Sequence, residues 1–213
     1  HGPDAPDGPP WIEDLHERAR WVRLVEWYGG SADPDEVRIS VPDVDPIAPG
    51  ATVVHVGASY GSRRWPIERF AMVARTLESG GDRVVVTGGA EDRDRATAVA
   101  EAAGLPGSRV LAGELGLLDF ASVVAAARVV VTVDTGAAHL ASAFGTPSVV
   151  VFGPATPERW GPPPGPHLVL TDAARRRGEV FADDPDPALL AVEPTDVLDA
   201  LALLGRRGTH RRP

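Results

Sequence analysis

Val129-Val130-Val131-Thr132-Val133-Asp134-Thr135-Gly136-Ala137-Ala138-His139-Leu140-Ala141-Ser142-Ala143-Phe144-Gly145-Thr146-Pro147-Ser148-Val149-Val150-Val151-Phe152-Gly153-Pro154 reads as a β-branched run, a polar turn, a short small-residue helix, a Gly-Thr-Pro stop and a second β-branched run. This is the pattern of a βαβ unit. An apolar run without alternation suits a parallel strand buried on both faces, so Asp134, Thr135 and Gly136 fall just past a strand's carboxyl end, where open α/β sheets bind ligands. Asp134 or Thr135 can cap the new helix, whose first N–H groups and positive dipole end favour an anion. Gly136 admits a ligand close to the backbone, and His139, one turn on, can face the same mouth. Taken alone, Asp134 could equally be a plain N-cap and His139 a satisfied helix histidine.

Working outward, the same rhythm recurs. Ala51–Val56 reads as a strand, followed by a small-residue loop from Gly57 to Arg64 and a helix opened by Trp65-Pro66 and running to Ser79. Arg83–Thr87 is a second strand, Gly88-Gly89 its turn, and Glu91–Ala103 a helix closed by Gly104. Arg109–Leu111 reads as a short strand and Leu115–Ala127 as a helix with Leu118, Val123 and Val124 inward. Beyond the central unit come a proline-rich loop over Pro157–Pro166, a last strand at His167–Leu170 and a closing helix at Pro194–Leu204. Such alternation with short loops predicts an α/β, Rossmann-like doubly wound parallel sheet with its ligand-facing loops on one edge.

The ends differ in kind. Residues 1–10 are rich in proline and glycine and read as a linker or tail. A helical pattern covers Trp11–Tyr28, with Leu15, Ala19, Val22 and Trp27 among its apolar positions. It is followed by a proline-punctuated crossover to Gly50 with one extended piece at Val37–Val41. Residues 11–50 thus read as a helix and linker leading into a domain at 51–205, with 206–213 a tail. Residues 171–187, mixing Arg175-Arg176-Arg177 with Asp183, Asp184 and Asp186, read as a solvated loop or as the lining of a cleft between domains. The chain opens on His1 rather than Met, which suggests a processed protein or a fragment.

Composition excludes several classes. There is no cysteine among the 213 residues, hence neither a disulfide framework nor a thiolate metal site. A net charge of −9 argues against a general binder of nucleic acid. No apolar run approaches the roughly 20 residues needed to cross a bilayer, so the chain reads as soluble and cytoplasmic. All 21 basic residues are arginines.

Three loops should meet at the carboxyl edge. The first offers backbone amides around Gly57 and Ser59, the Ser59 hydroxyl, and Arg63 with Arg64; small residues cradle phosphate and arginine clamps it. It has neither the P-loop spacing nor a G-x-G-x-x-G fingerprint. The second, Gly88-Gly89-Ala90-Glu91-Asp92, places carboxylates at a helix start, either as helix-terminal charge or as acceptors for a ribose. The third is the Asp134 turn. An anion held by Arg63 and the helix start, with a carboxylate for a sugar, describes a nucleotide-sugar diphosphate site. Metal binding is not indicated: His55 and His139 could approach Asp134, but no i,i+4 histidine pair is present, and His55 reads as a structural hydrogen-bonder.

His55-Val56-Gly57-Ala58-Ser59 with Arg63-Arg64-Trp65-Pro66, Thr87-Gly88-Gly89, Leu111-Ala112-Gly113, Asp134-Thr135-Gly136 with His139-Leu140-Ala141, and Phe152-Gly153-Pro154 with Trp160-Gly161-Pro162 resemble, in order, the motifs of glycosyltransferase family 9, the ADP-heptose:lipopolysaccharide heptosyltransferases. The resemblance spans roughly Leu15 to Leu204 but only the second half of a family member. It implies the carboxyl-terminal, donor-binding domain of a GT-B fold. It places donor contacts at Gly57, Ser59, Arg63, Gly88, Glu91, Asp92, Gly113, Asp134, Thr135, Gly136 and His139, with Arg63 in the position of a phosphate-contacting lysine. It implies no metal and no cofactor, an ADP-sugar as substrate, and inverting transfer to a saccharide or lipid-linked saccharide acceptor, with peripheral association at the inner face of a membrane. The catalytic carboxylate is expected in an amino-terminal domain without counterpart here, so the chain alone is expected to be inactive. Val56 departs from the family's proline and Arg63 from its lysine, which keeps the charge but changes its geometry. The rival readings are a nucleotide-sugar 2-epimerase of the same architecture and a non-catalytic nucleotide-binding module.

Overall fold

The computed structural model describes residues 7–209, with side chains to Arg206. Strands β1 (Thr52–His55), β2 (Val84–Thr87), β3 (Val129–Val133), β4 (Ser148–Val151) and β5 (His167–Leu170) form one sheet in the order β2-β1-β3-β4-β5, all neighbours parallel. Every residue of β2, β3 and β4 is buried, as expected for unbroken valine runs covered on both faces. Helices α2 (Ile67–Ser79) and α3 (Arg93–Ala103) cover one face together with α8 (Pro194–Thr209). Their Phe70, Val73, Val99 and Val197 pack on alternate strand residues such as Val54, Val86 and Val131. Helices α4 (Leu117–Ala125) and α5 (Gly136–Phe144) cover the other, with Val123, Val124 and Ala141 on Val53, Val85 and Val130.

Trp65 anchors the first face. It is wholly buried, packs edge-on against Phe70 at 4.9 Å between ring centroids, and donates its indole N–H to the Val192 carbonyl at 3.0 Å. That bond ties the start of α2 to the chain entering α8.

Several elements differ from the sequence pattern. The strand expected at Arg109–Leu111 is a single parallel bridge, Val86 to Val110. Pro106 and Gly107 turn the chain into a 3-10 turn through Arg109, whose guanidinium is held by the Val84 carbonyl and Glu78, so only Val110 and Leu111 reach the β2 edge. Leu118 is 61 % exposed rather than inward, because α4 begins at Leu117 after Gly116 and its first turn faces solvent. The amino-terminal helix α1 spans Glu17–Trp27, not Trp11–Tyr28, since the His16 ring caps it by accepting the Arg18 N–H at 3.1 Å. Val37–Val41 forms no strand; Ile39 touches α5 through one backbone bond to Ala143. Pro157–Trp160 makes a one-turn helix, α6, inside the proline-rich loop, and α8 runs past Leu204 to Thr209. The linker and tail readings of residues 1–6 and 210–213 lie outside the described residues.

Candidate functional site

In this strand order the chain winds one way from β1 to β2 and the other way from β3 to β5, so the winding reverses between β1 and β3. The loops that leave β1 and β3 therefore splay apart and open a crevice between them. Arg63, at the end of the 3-10 turn Gly61–Arg63, lies on one side and Asp134 on the other. Arg63 Nε stands 3.9 Å from Asp134 Oδ2, the outer limit of an ion pair. That Nε is buried and has no hydrogen-bond partner. An unmade guanidinium hydrogen bond beside a buried carboxylate is expensive, and an anionic ligand is the group that would satisfy it.

Asp134 is 5 % exposed. Burial holds its carboxyl above the usual carboxylate range, opposed by Arg63 and then by His139. Thr135 occupies the N-cap of α5, but no side chain caps the helix. The Thr135 hydroxyl turns back instead to Thr132 Oγ1 at 3.2 Å and the Val133 carbonyl at 3.3 Å. The sequence pattern allowed either Asp134 or Thr135 as the cap; with neither used, the first N–H groups of α5 face the crevice uncapped. Gly136 is exposed, and a Cβ there would meet nothing within 4 Å, so the approach to those amides is open. His139 is exposed on α5 and also borders a groove lined by His16, Trp21 and Trp160.

The remaining predicted residues divide. Gly57 is buried where a Cβ would fall 2.5 Å from Asp92 Oδ2 and 3.0 Å from His55 Nε2. Gly88 is similarly closed by Asp92, whose Cβ would lie 2.7 Å away. Asp92 is buried and its carboxylate accepts the Gly89 N–H at 3.0 Å, closing the turn after β2. Glu91 and Ser59 are exposed at the rim. Gly113 takes φ +73° against Ala90, whose Cα would be 3.0 Å from a Cβ. His55 is held neutral by burial, its pKa pushed down to about 4; its Nδ1 lies 3.1 Å from Thr87 Oγ1 and its ring tilts against Phe120. It faces its own strand neighbour, as a structural hydrogen-bonder does. Among the described residues no group of three or more His, Cys, Asp or Glu is placed to hold a metal. No described helix is long and apolar enough to cross a membrane.

One feature of the edge was missed in the sequence. Residues 171–187 are largely exposed, with Arg175, Arg177, Asp183 and Asp184 in solvent, but Asp186 is 2 % exposed and the segment is bonded to the Ser62 turn. The acidic and basic runs masked a single buried N-cap, for Asp186 accepts the Ala188 N–H at 2.9 Å as helix α7 (Pro187–Leu190) begins. An Asp-Pro step at a helix start was the available signal.

A family model described as glycosyltransferase family 9 (heptosyltransferase) matches residues 36–173, well over half of the chain. The chain belongs to glycosyltransferase family 9. It is 38 % identical over 121 residues to lipopolysaccharide heptosyltransferase 1 of Pseudomonas aeruginosa, covering 56 % of this chain and 33 % of that protein. It is 31 % identical over 163 residues to lipopolysaccharide heptosyltransferase 2 of Salmonella typhimurium, covering 71 % of this chain and 46 % of that one. The chain thus spans a third to just under half of these family 9 relatives. In fold it is similar to the Escherichia coli heptosyltransferase WaaC solved with ADP, with a TM-score of 0.65 at 22 % identity over 91 % of this chain and 58 % of that one. The parallel α/β sheet expected from the sequence is the architecture found, and it corresponds to one part of the GT-B heptosyltransferase structures.

Proposed function

We propose that the crevice between β1 and β3 binds the diphosphate of an ADP-sugar and that this domain, residues 51–205, is the donor-binding half of a heptosyltransferase-type enzyme. The observation that carries this is the unpartnered Arg63 Nε, 3.9 Å from buried Asp134 and beside the uncapped start of α5. The site therefore offers a fixed cation and free backbone donors to a dianion. A structural relative solved with ADP supports the choice of nucleotide.

In this reading Arg63 and the amides of Gly136 and Ala137 hold the diphosphate, Ser59 hydrogen-bonds it from the rim, and Asp134 accepts from a hydroxyl of the sugar. Glu91, exposed beside Gly89, takes the ribose. Asp92, spent on the Gly89 N–H, shapes that turn. An acceptor hydroxyl oxygen attacks the anomeric carbon on the face opposite the diphosphate, the bond to the phosphate oxygen breaks, and ADP leaves with the electron pair. Arg63 and the α5 amides meet the charge that develops on that oxygen. The acceptor's proton passes to a base that faces the edge from outside this domain. A saccharide or lipid-linked saccharide is the acceptor, the latter seating the enzyme at the inner face of a membrane. Residues 11–50 serve as the connection to the acceptor-binding part.

Calorimetric titration with ADP, UDP and GDP tests the reading. ADP should bind at least about tenfold more tightly than the other two, a difference of about 1.4 kcal/mol. Equal affinity for all three, or none for any, would overturn it.

A further inference from the structure

Arg63 is held in place by a part of the chain far from it in sequence. Every polar group of Ser62, the residue before it, is bonded to the segment 180–186. The Ser62 N–H donates to the Ala182 carbonyl at 2.8 Å, its hydroxyl donates to the Val180 carbonyl at 2.7 Å, and its carbonyl accepts the Asp186 N–H at 3.0 Å. Gly61 meets the same segment so closely that a Cβ would lie 1.5 Å from the Asp183 carbonyl oxygen. The turn carrying Arg63 is thus clamped from outside the sheet.

Asp186 closes the clamp. Its Oδ1 caps α7 through Ala188, while its Oδ2 accepts the N–H groups of Arg177 at 3.1 Å and Gly178 at 3.2 Å. One buried carboxylate so joins both ends of the strap 177–188. The strap is also tied to the loop after β4: Arg176 Nε donates to the Gly153 carbonyl at 2.9 Å, and Gly153 packs tightly against Leu189 and Ser62, where a Cβ would lie 3.0 Å from the Leu189 Cβ and 3.2 Å from the Ser62 carbonyl oxygen.

We propose that Asp186 is a positioning residue for the diphosphate site: by closing the strap that locks the Ser62 turn, it fixes where Arg63 presents its guanidinium. The proposal rests on the reading that Arg63 contacts the diphosphate. A guanidinium displaced by about 1 Å can lose most of its contribution, so loosening the strap weakens ligand binding without removing any group that touches the ligand.

The test is a double-mutant cycle in the 213-residue chain, with ADP as the probe and protein-observed NMR titration to reach millimolar affinities. Asp186→Ser keeps a cap for Ala188 and breaks the bonds to Arg177 and Gly178. It should weaken ADP binding about tenfold when Arg63 is present and less than about twofold when Arg63 is already alanine. An equal loss in both backgrounds, or no loss in either, would overturn the proposal. If Arg63→Ala itself leaves ADP affinity unchanged, the reading of Arg63 falls first, and that outcome is separately visible. Should Asp186→Ser not fold, Ser62→Ala carries the same cycle, since it removes only the bond to Val180. It should show a smaller loss with the same dependence on Arg63, and its absence would overturn the proposal as well.

Discussion

Two aspartates stand at the carboxyl edge of this sheet, each 5 % exposed and each in a turn that leads from a valine-rich strand into a helix. Asp92 after β2 spends its carboxylate on the Gly89 N–H, beneath glycines at positions 57 and 88 that leave room for nothing larger. Asp134 after β3 makes no side-chain hydrogen bond among the described residues; Arg63 stands 3.9 Å away with His139 further off, and burial pushes its carboxyl up. A buried carboxylate that closes a turn contributes to stability; one held 3.9 Å from a guanidinium whose Nε makes no hydrogen bond costs stability, and in the proposed function it meets a ligand. The contrast separates the structural residue from the one proposed to meet the ligand, where burial alone cannot.

A third group on the same edge, the half-buried His55, sharpens it through pH. The His55 ring, with its pKa pushed down to about 4 by burial, binds a proton more readily unfolded than folded. Stability from His55 is therefore complete above about pH 6.5 and is lost as pH falls towards 4, by about 3 kcal/mol in all. Asp134 runs the opposite way: its raised carboxyl takes up a proton more readily folded, so acidification relieves its penalty. Denaturant melts across this range should show a steep acid loss in the unaltered chain. His55→Asn should flatten that loss and expose a slight gain from Asp134.

The next largest effect breaks the Asp92 side. Asp92→Ala leaves the Gly89 N–H without its acceptor and should cost about 2 kcal/mol. For a chain of this size that lowers the melting temperature by roughly 4–8 °C in a thermal scan. The smallest effect is on the Asp134 side: Asp134→Asn should change stability at pH 7 by less than about 1 kcal/mol, in the stabilising direction, while abolishing the acid gain. Similar losses for the two aspartates would dissolve the distinction.

How far the chain could be read without coordinates follows the same division. The strands and the βαβ unit were legible because valine runs, Gly stops and Pro starts are local signals, and every strand of the sheet was expected near its observed position. Arg63, Asp134 and Gly136 could be placed on one edge because strand ends define that edge. The strand at Arg109–Leu111 failed because Pro106-Gly107 turn chemistry outcompeted a short stretch with only Val110 β-branched. Leu118 was misjudged because, at about 100° per residue, it lies roughly 120–140° round the helix from the buried Val123 and Val124 and so faces solvent. The strap was invisible because its bonds to Ser62 join residues more than a hundred positions apart, and no periodicity encodes such a contact.

The most direct test of the account is the ADP affinity of Arg63→Ala measured beside its melting temperature. The account predicts binding at least about tenfold weaker, as the loss of a charge-assisted contact implies, with the melting temperature essentially unchanged. Unaltered affinity, with the unaltered chain shown to bind ADP, would contradict it and move the ligand site away from the β1–β3 crevice.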